Sequence, residues 1–516
     1  MDTRREPYQQ RFDALKNIYN QWRSIHQKLQ KFILPTRGFF EDDSPNQKMK
    51  LDYKSMVDGE PQLAASIFAS GMQSGMTSQA SEWFKATTID PDLAKWKPAQ
   101  EWFETVENIL MAIFARSNIY QDFFNIYEEE GTFALACMGV HENYKNVIRP
   151  EFYTVGEYFL GVDEYGMVNT FAKYRWITVE NMVRFFGKEN CSQAVQNLWD
   201  RNQLYEYIKC CQIIEPNDGR DPALHNNKNM PYRSVYWEDG GNIDKLLKYS
   251  GYEEFPIMAP RWGVRMTSEA YGIGAPGWKI LGDSQSLQEM GKSEMAGIAK
   301  AADPPLQVWG DINGGRINSL PGGRNQFKAN DKAGISALYD VNFLQGLAAL
   351  DGSIQQKQQK INRFFYTDLF KMLNSQNTRQ MTAREVAERH EEKLTVLSPV
   401  LDRIEKELLD PVIERTFNIA MRAEIIPPPP QELEGKELKI DYISILAQAQ
   451  KTLLTAGIEQ FTTYAGTVAQ FNPEVLDNID LDMVVNDYAD KVGVSPKYLR
   501  DKEQVEAIRQ QRAQAM

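Results

Sequence analysis

The chain has 516 residues, 42% hydrophobic and 25% charged, enough for several compact regions around a sizeable core. Its net charge of −12 argues against a protein that grips nucleic acid across an open face, because such binding runs on neutralisation of phosphates by Lys and Arg. Cys137, Cys191, Cys210 and Cys211 include no C-x-x-C pair and read as reduced thiols of a cytosolic product; the polar start MDTRREPYQQRFDALK lacks a signal-peptide core, and no apolar run approaches the ~18 residues of a membrane span.

In chain order, Tyr8, Phe12, Leu15, Ile18, Tyr19, Trp22, Ile25, Leu29 and Phe32 recur every three or four positions and predict one long amphipathic helix ending before Pro35. A helix rich in small residues is expected around 61–75, and two more at 98–117 and 119–137 with a break near Ser117-Asn118. Residues 157–162, the turn Asp163-Glu164-Tyr165-Gly166 and residues 167–177 read as a β-hairpin, after which Thr178 caps a short helix to about 186. SVYW (234–237) and EFPIMAPRW (254–262) supply further strands. The second half reads as helical. A Gly- and Ala-dense helix is expected over 284–302, closed by Asp303-Pro304-Pro305, and short β pieces with glycine turns follow. A second long helix is expected over 336–372, then the polar loop LNSQNTRQM. Thr382-Ala383-Arg384-Glu385 is a capping box for a helix of roughly forty residues, bent by Pro399 and Pro411. Pro427 to Pro430 form a stiff joint, and a small helical cap ends the chain. The fold class is α+β, mainly α.

Two fragments resemble phosphate-binding motifs. Gly272 to Gly277 spells G-x-G-x-x-G, but helix rather than a second parallel strand follows it, and Pro276 removes an amide. A flexible or close-packed turn fits better. Gly291-Lys292-Ser293 ends like a P-loop, yet position 286 is Ser where that loop needs Gly, and the fragment lies within a helix whose amides are already bonded. His26, His141, His225 and His390 are scattered, and no metal, cofactor or catalytic set emerges.

Two stretches invite a functional reading. Gly291, Ala296, Gly297 and Ala299 suit a helix pressed closely by neighbours, either inside one subunit or between copies. The loop residues Asn374, Ser375, Gln376, Asn377, Thr378, Arg379 and Gln380 can touch phosphates without holding them, or simply connect two helices in solvent. Lys357, Lys360 and Arg363 share one helical edge before it, again either a solvated face or candidate channel-lining cations.

Taken together, residues 8–450 resemble the portal proteins, or head-to-tail connectors, of short-tailed bacteriophages. The resemblance is carried by residues 66–90, 102–140, YGIGAPGWKILGDSQSLQEM leading into KAADPPLQV, and 382–417. It implies a non-enzymatic ring, in the family commonly of twelve subunits, at one vertex of the head. Double-stranded DNA would pass through it without sequence recognition. The other implied partners are the packaging motor (terminase), the tail adaptor, and the major capsid and scaffolding proteins, with no membrane insertion. Mapped onto this chain, it implies a wing at 1–283, stem helices at 284–302 and 336–372, and a clip at 303–335. A DNA-facing tunnel loop would follow at 373–381, a long wing helix and Pro-rich joint at 382–438, and a helical crown at 439–516. Trp309, Asp311, Asn313, Arg316 and Arg324 would be the clip's docking residues. The implied location is the head–tail vertex of a virion, after synthesis in the bacterial cytoplasm. The competing readings are a nucleotide-dependent enzyme around 272–293 and a helical scaffold or adaptor without a channel.

Overall fold

The computed structural model describes residues 4–40, 56–90, 93–94, 96–224, 226–240, 245–302, 306–309, 334–337, 343–374, 396–433, 435, 438–444, 446–447, 461–469, 477–492, 505, 508–509 and 511. The first predicted helix is α1 (Glu6–Phe32), with Pro7 in its first turn, where a missing amide costs nothing. Its apolar side carries Phe12 and Tyr19 onto Phe159 and Tyr271, with ring centroids 5.3–5.5 Å apart. Helix α2 (Glu60–Met76) matches the small-residue reading, and β1 (Phe84–Thr88) follows it.

Helices α3 (Lys97–Arg116) and α4 (Ile119–Phe133) break where Ser117-Asn118 predicts. The second ends four residues earlier than expected. Ala134 takes a left-handed conformation, φ 69°, and the chain leaves as a strand. From Ile126 to Phe133 every residue of α4 is buried. Such a helix needs neighbours on all sides, and glycine provides one of them. A Cβ on Gly131 would lie 2.6 Å from the Phe68 ring of α2.

Its three consecutive carboxylates meet different fates. Glu128 accepts from Ser66 Oγ at 3.0 Å and from Arg37 Nε at 3.1 Å. Glu129 accepts from the Thr154 hydroxyl and, at 3.1 Å, from Val155 N. Burial outweighs those bonds and pushes its pKa up to about 8. Glu130 has no hydrogen-bond partner, and burial, with Glu407 nearby, pushes it well above the carboxylate range.

Among the described residues the β elements form four antiparallel sheets. The hairpin β2 (Cys137–Asn143) and β3 (Val147–Tyr153) was not foreseen from sequence. The predicted hairpin is β4 (Tyr158–Val162) and β5 (Val168–Thr178), closed by Asp163 Oδ1, which accepts from Tyr165 N and Met167 N. Thr178 caps α5 (Val179–Phe186), accepting from Asn181 N, and α6 (Gln193–Asp200) follows. Strands β6 (Tyr207–Pro216), β7 (Tyr232–Glu238) and β8 (Lys248–Tyr252) complete a sheet in the order β4-β5-β6-β7-β8. Strand β9 (Ile257–Met258) joins β2. Glu151 of β3 ties the two sheets: Lys173 Nζ of β5 lies 3.4 Å from it and His141 Nε2 3.6 Å.

The carboxy-terminal half differs from expectation in three places. The Gly/Ala helix, α7, is Pro276–Ala302 and begins eight residues before 284. Proline at its first position starts it, and Gly277 lets that first turn press on the Thr132 carbonyl, where a Cβ would stand 2.4 Å away. The expected helix 336–372 is instead a strand, β11 (Gly334–Ala337), paired with β10 (Leu306–Trp309), then α8 (Phe343–Phe364) and α9 (Thr367–Asn374). Tyr366, at φ 54°, breaks the helix between buried Phe365 and Thr367. The capping box 382–385 lies outside the described residues. From 396 the chain is helical, passes through a π turn at Glu405–Leu409 and continues as α10 (Asp410–Arg422). The wide turn accommodates Pro411, which would otherwise clash with the Glu407 carbonyl and leave it unbonded. Pro399 is in the helical stretch 396–404. Strand β12 (Leu438–Tyr442) pairs with β1, and α11 (Leu481–Val492) is the last long described element.

Because Glu129 binds its proton more tightly folded than unfolded, its contribution is full below about pH 4.5 and is lost as pH rises to about 8. Glu129→Gln keeps an acceptor for Val155 N and, in place of the oxygen that accepts from Thr154, offers an amide that can donate to that hydroxyl. Its melting temperature relative to the parent is expected to rise between pH 5 and pH 8, at up to roughly 1.4 kcal/mol per pH unit of avoided loss. Thermal melts across that range check it, and a pH-independent difference would contradict it.

Candidate functional site: the long-helix pair

Helices α7 and α8 pack side by side through buried Ile280 and Leu287 on one and Ile354 and Ile361 on the other. Polar groups fix their register. Buried Gln288 of α7 accepts from Val57 N at 2.6 Å and Asp58 N at 2.9 Å, and donates to Asp58 O at 2.8 Å. Gln358 of α8 donates to Asp58 Oδ2 at 2.8 Å, and Asn362 to Glu60 Oε1 at 2.5 Å. The entry to α2 is thereby clamped between the two helices. Asp283 of α7 meets Lys357 Nζ at 2.5 Å and Lys360 Nζ at 2.7 Å. Burial alone would raise its pKa, but the two lysines hold its carboxyl below the usual range.

The small residues of α7 divide at Gly291. That glycine is buried, and a Cβ there would lie 3.1 Å from Val57, so it serves packing within the chain. Beyond it Gly297 is buried, while Ala296 and Ala299 are exposed together with Met295 and Ile298, at 62% and 54%. The outer three turns of α7 thus expose small and apolar side chains, with Lys292, Ser293 and Lys300 beside them.

The β10–β11 ribbon joins the far ends of α7 and α8. Trp309 lies over Gly334, where a Cβ would come 2.7 Å from the indole, and the indole remains 45% exposed. Asp311, Asn313, Arg316 and Arg324 lie outside the described residues. At the other end, α9 seats Phe370 in a notch of α2: a Cβ on Gly71 would lie 2.2 Å from that ring. Phe68 packs edge-on to Phe370 at 5.2 Å. Asn374 ends α9. Ser375, Gln376, Asn377, Thr378, Arg379 and Gln380 lie outside the described residues, so the structure gives the root of this loop and not its tip.

Of the three edge cations, Lys357 and Lys360 converge on Asp283, while Arg363 is exposed. The sequence reading missed Asp283, Gln288 and Asp58. Their partners are 74, 230 and 300 positions away, and no local pattern announces such pairs.

The phosphate-like motifs resolve into packing. A Cβ on Gly272 would sit 1.8 Å from the Ala134 carbonyl, and Gly274 has φ +81°. Lys292 pairs with Glu289 at 2.9 Å on the exposed side of α7. Among the described residues no cluster of metal-ligating side chains occurs, and no helix is long and apolar enough to cross a membrane.

Comparison with known proteins agrees along the chain. A family model described as bacteriophage head to tail connecting protein matches residues 5–499. The probable portal protein of Bordetella phage BPP-1 is 37% identical over 512 residues, covering 99% of this chain and 91% of that protein. The portal protein of Salmonella phage epsilon15 is 37% identical over 513 residues, covering 99% and 92%. The family is structural rather than enzymatic, which removes the nucleotide-enzyme reading. With relatives this similar over nearly its whole length, the chain belongs to the bacteriophage head-to-tail connecting proteins.

Proposed function

We propose that this chain is the subunit of a portal: a ring, of twelve copies, at the head–tail vertex of a virion, through which double-stranded DNA is packaged and later ejected. The observation that carries the reading is the match to two portal proteins over 99% of the chain. The ring docks the packaging motor, then the tail adaptor, and sits among the capsid and scaffolding proteins during assembly in the host cytoplasm.

In this reading the wing is the α/β body built around α4. The stem is the pair α7–α8, the clip grows from the β10–β11 ribbon with Trp309 at its root, and the tunnel loop springs from α9. Because β12 pairs with β1, we draw the start of the crown after Tyr442 rather than at 439. The exposed Met295, Ala296, Ile298 and Ala299 surface is suited to the neighbouring copy, since small residues let helices approach closely and apolar ones repay being covered. A net-acidic subunit discourages adhesion to the passing duplex through its field, while Arg379 gives a shallow, sequence-blind phosphate contact.

Electron microscopy of the purified protein tests the proposal: closed rings with a central hole are expected, and filaments or persistent single subunits would point instead to a scaffold without a channel. Ala299→Trp should leave the monomer's unfolding free energy within about 1 kcal/mol of the parent, as exposed positions do, while abolishing rings in analytical ultracentrifugation. Arg379→Ala should leave rings intact and reduce packaged or retained DNA, and failure of ring formation would remove that residue from the loop's assigned role.

A further inference from the structure

Three cations stand three residues apart on α8, and their surroundings are unequal. Asp283 on α7 takes Lys357 on one carboxylate oxygen, at 2.5 Å, and Lys360 on the other, at 2.7 Å. The carboxylate is itself only 8% exposed. Arg363, one further turn along, is exposed and has no carboxylate partner among the described residues. We infer that Asp283 sets the charge of the channel wall, holding Lys357 and Lys360 back and cancelling one of their two charges, so that Arg363 is the most freely offered of the three to a passing phosphate.

This rests on the portal reading, and it adds a residue and a role to it. Fastening the helices does not account for the arrangement. The seam already has Gln288, Gln358 and a buried apolar strip, and one lysine would suffice as an ionic clip. The second lysine has a side chain 53% exposed and is nevertheless drawn back onto the same carboxylate. An ion pair that open contributes little to stability, typically below ~1 kcal/mol, but it removes a cation from the reach of DNA. Each lysine that finds a phosphate instead adds affinity and a salt-dependence increment of about 0.9. Repeated around a ring, two unmasked lysines per subunit would turn a sliding surface into an adhesive one.

The test uses full-length rings and two probes, a linear duplex and a covalently closed circle of the same sequence, with retention measured against salt. Only a linear duplex can thread a closed ring. Asp283→Asn rings are expected to retain the linear duplex roughly tenfold more tightly near 50 mM salt, with a steeper salt slope. Adding Lys357→Gln and Lys360→Gln should restore the parent value. In the Asp283 background Lys360→Gln, which leaves Asp283 paired with Lys357, should weaken retention less than Arg363→Gln. That second comparison decides the matter if Asp283→Asn fails to assemble. Equal retention by Asp283→Asn and parent rings, or equal losses from Lys360→Gln and Arg363→Gln, would overturn the inference. Parent rings that hold circle and linear duplex alike would count instead against the channel reading beneath it.

Discussion

A helical segment with no face toward water organises this chain. From Ile126 to Phe133, α4 is enclosed, so each of its side chains must find a partner or remain uncharged. The surrounding elements are shaped by that demand. Gly131 of α4 admits Phe68 of α2, and Gly71 of α2 admits Phe370 of α9. Arg37, Thr154 and Ser66 come in from three segments to the carboxylates. Glu130, with none of these, is compatible with its site only as the neutral acid. The body and α9 are consequently one packing problem, since α9 rests on the same α2 that α4 supports.

The long-helix pair is half embedded and half free. Its inner half is bound to the body through Asp58 and Val57, and its outer half presents small and apolar side chains that stay exposed among the described residues. A rod anchored at one end and available at the other suits an element that meets a copy of itself without disturbing the domain that holds it. It also explains why the glycines and alanines of α7 are not equivalent. Gly291 is spent on Val57, while Ala296 and Ala299 face outward.

What could be read from sequence was what depends on neighbours in sequence. The spacing of aromatic residues marked α1, Thr178 marked a cap, and the Asp163 turn marked a hairpin, each a consequence of local geometry. The misplaced features depend on distant contacts. Strand β2 is fully buried over its first four residues and then polar, so it has neither a clean alternation nor a long apolar run. The break at Tyr366 involves no Gly or Pro; it is imposed where Phe365 and Phe370 both turn inward. In the site, the candidate cations were visible as a periodic edge, but the carboxylate that governs two of them was not. The proline and the following helix that argue against a nucleotide at the glycine motif are local facts. The contacts with Ala134 and Thr132 that its glycines serve are not.

The π turn ahead of α10 settles a matter of phase. Glu407 binds Arg261 through both carboxylate oxygens, and Arg415 reaches the Val140 carbonyl at 2.7 Å and Glu254 at 2.9 Å. Eight residues of regular α-helix would carry Arg415 about 80° around the axis from Glu407. One residue absorbed by the wide turn cancels most of that lag, leaving a mismatch of roughly 20°. The acid and the base can then address the same side of the body from successive portions of one rod. The helix therefore behaves as a ratchet set by a single tooth, and shortening it there by one position would swing every downstream side chain out of its appointed slot.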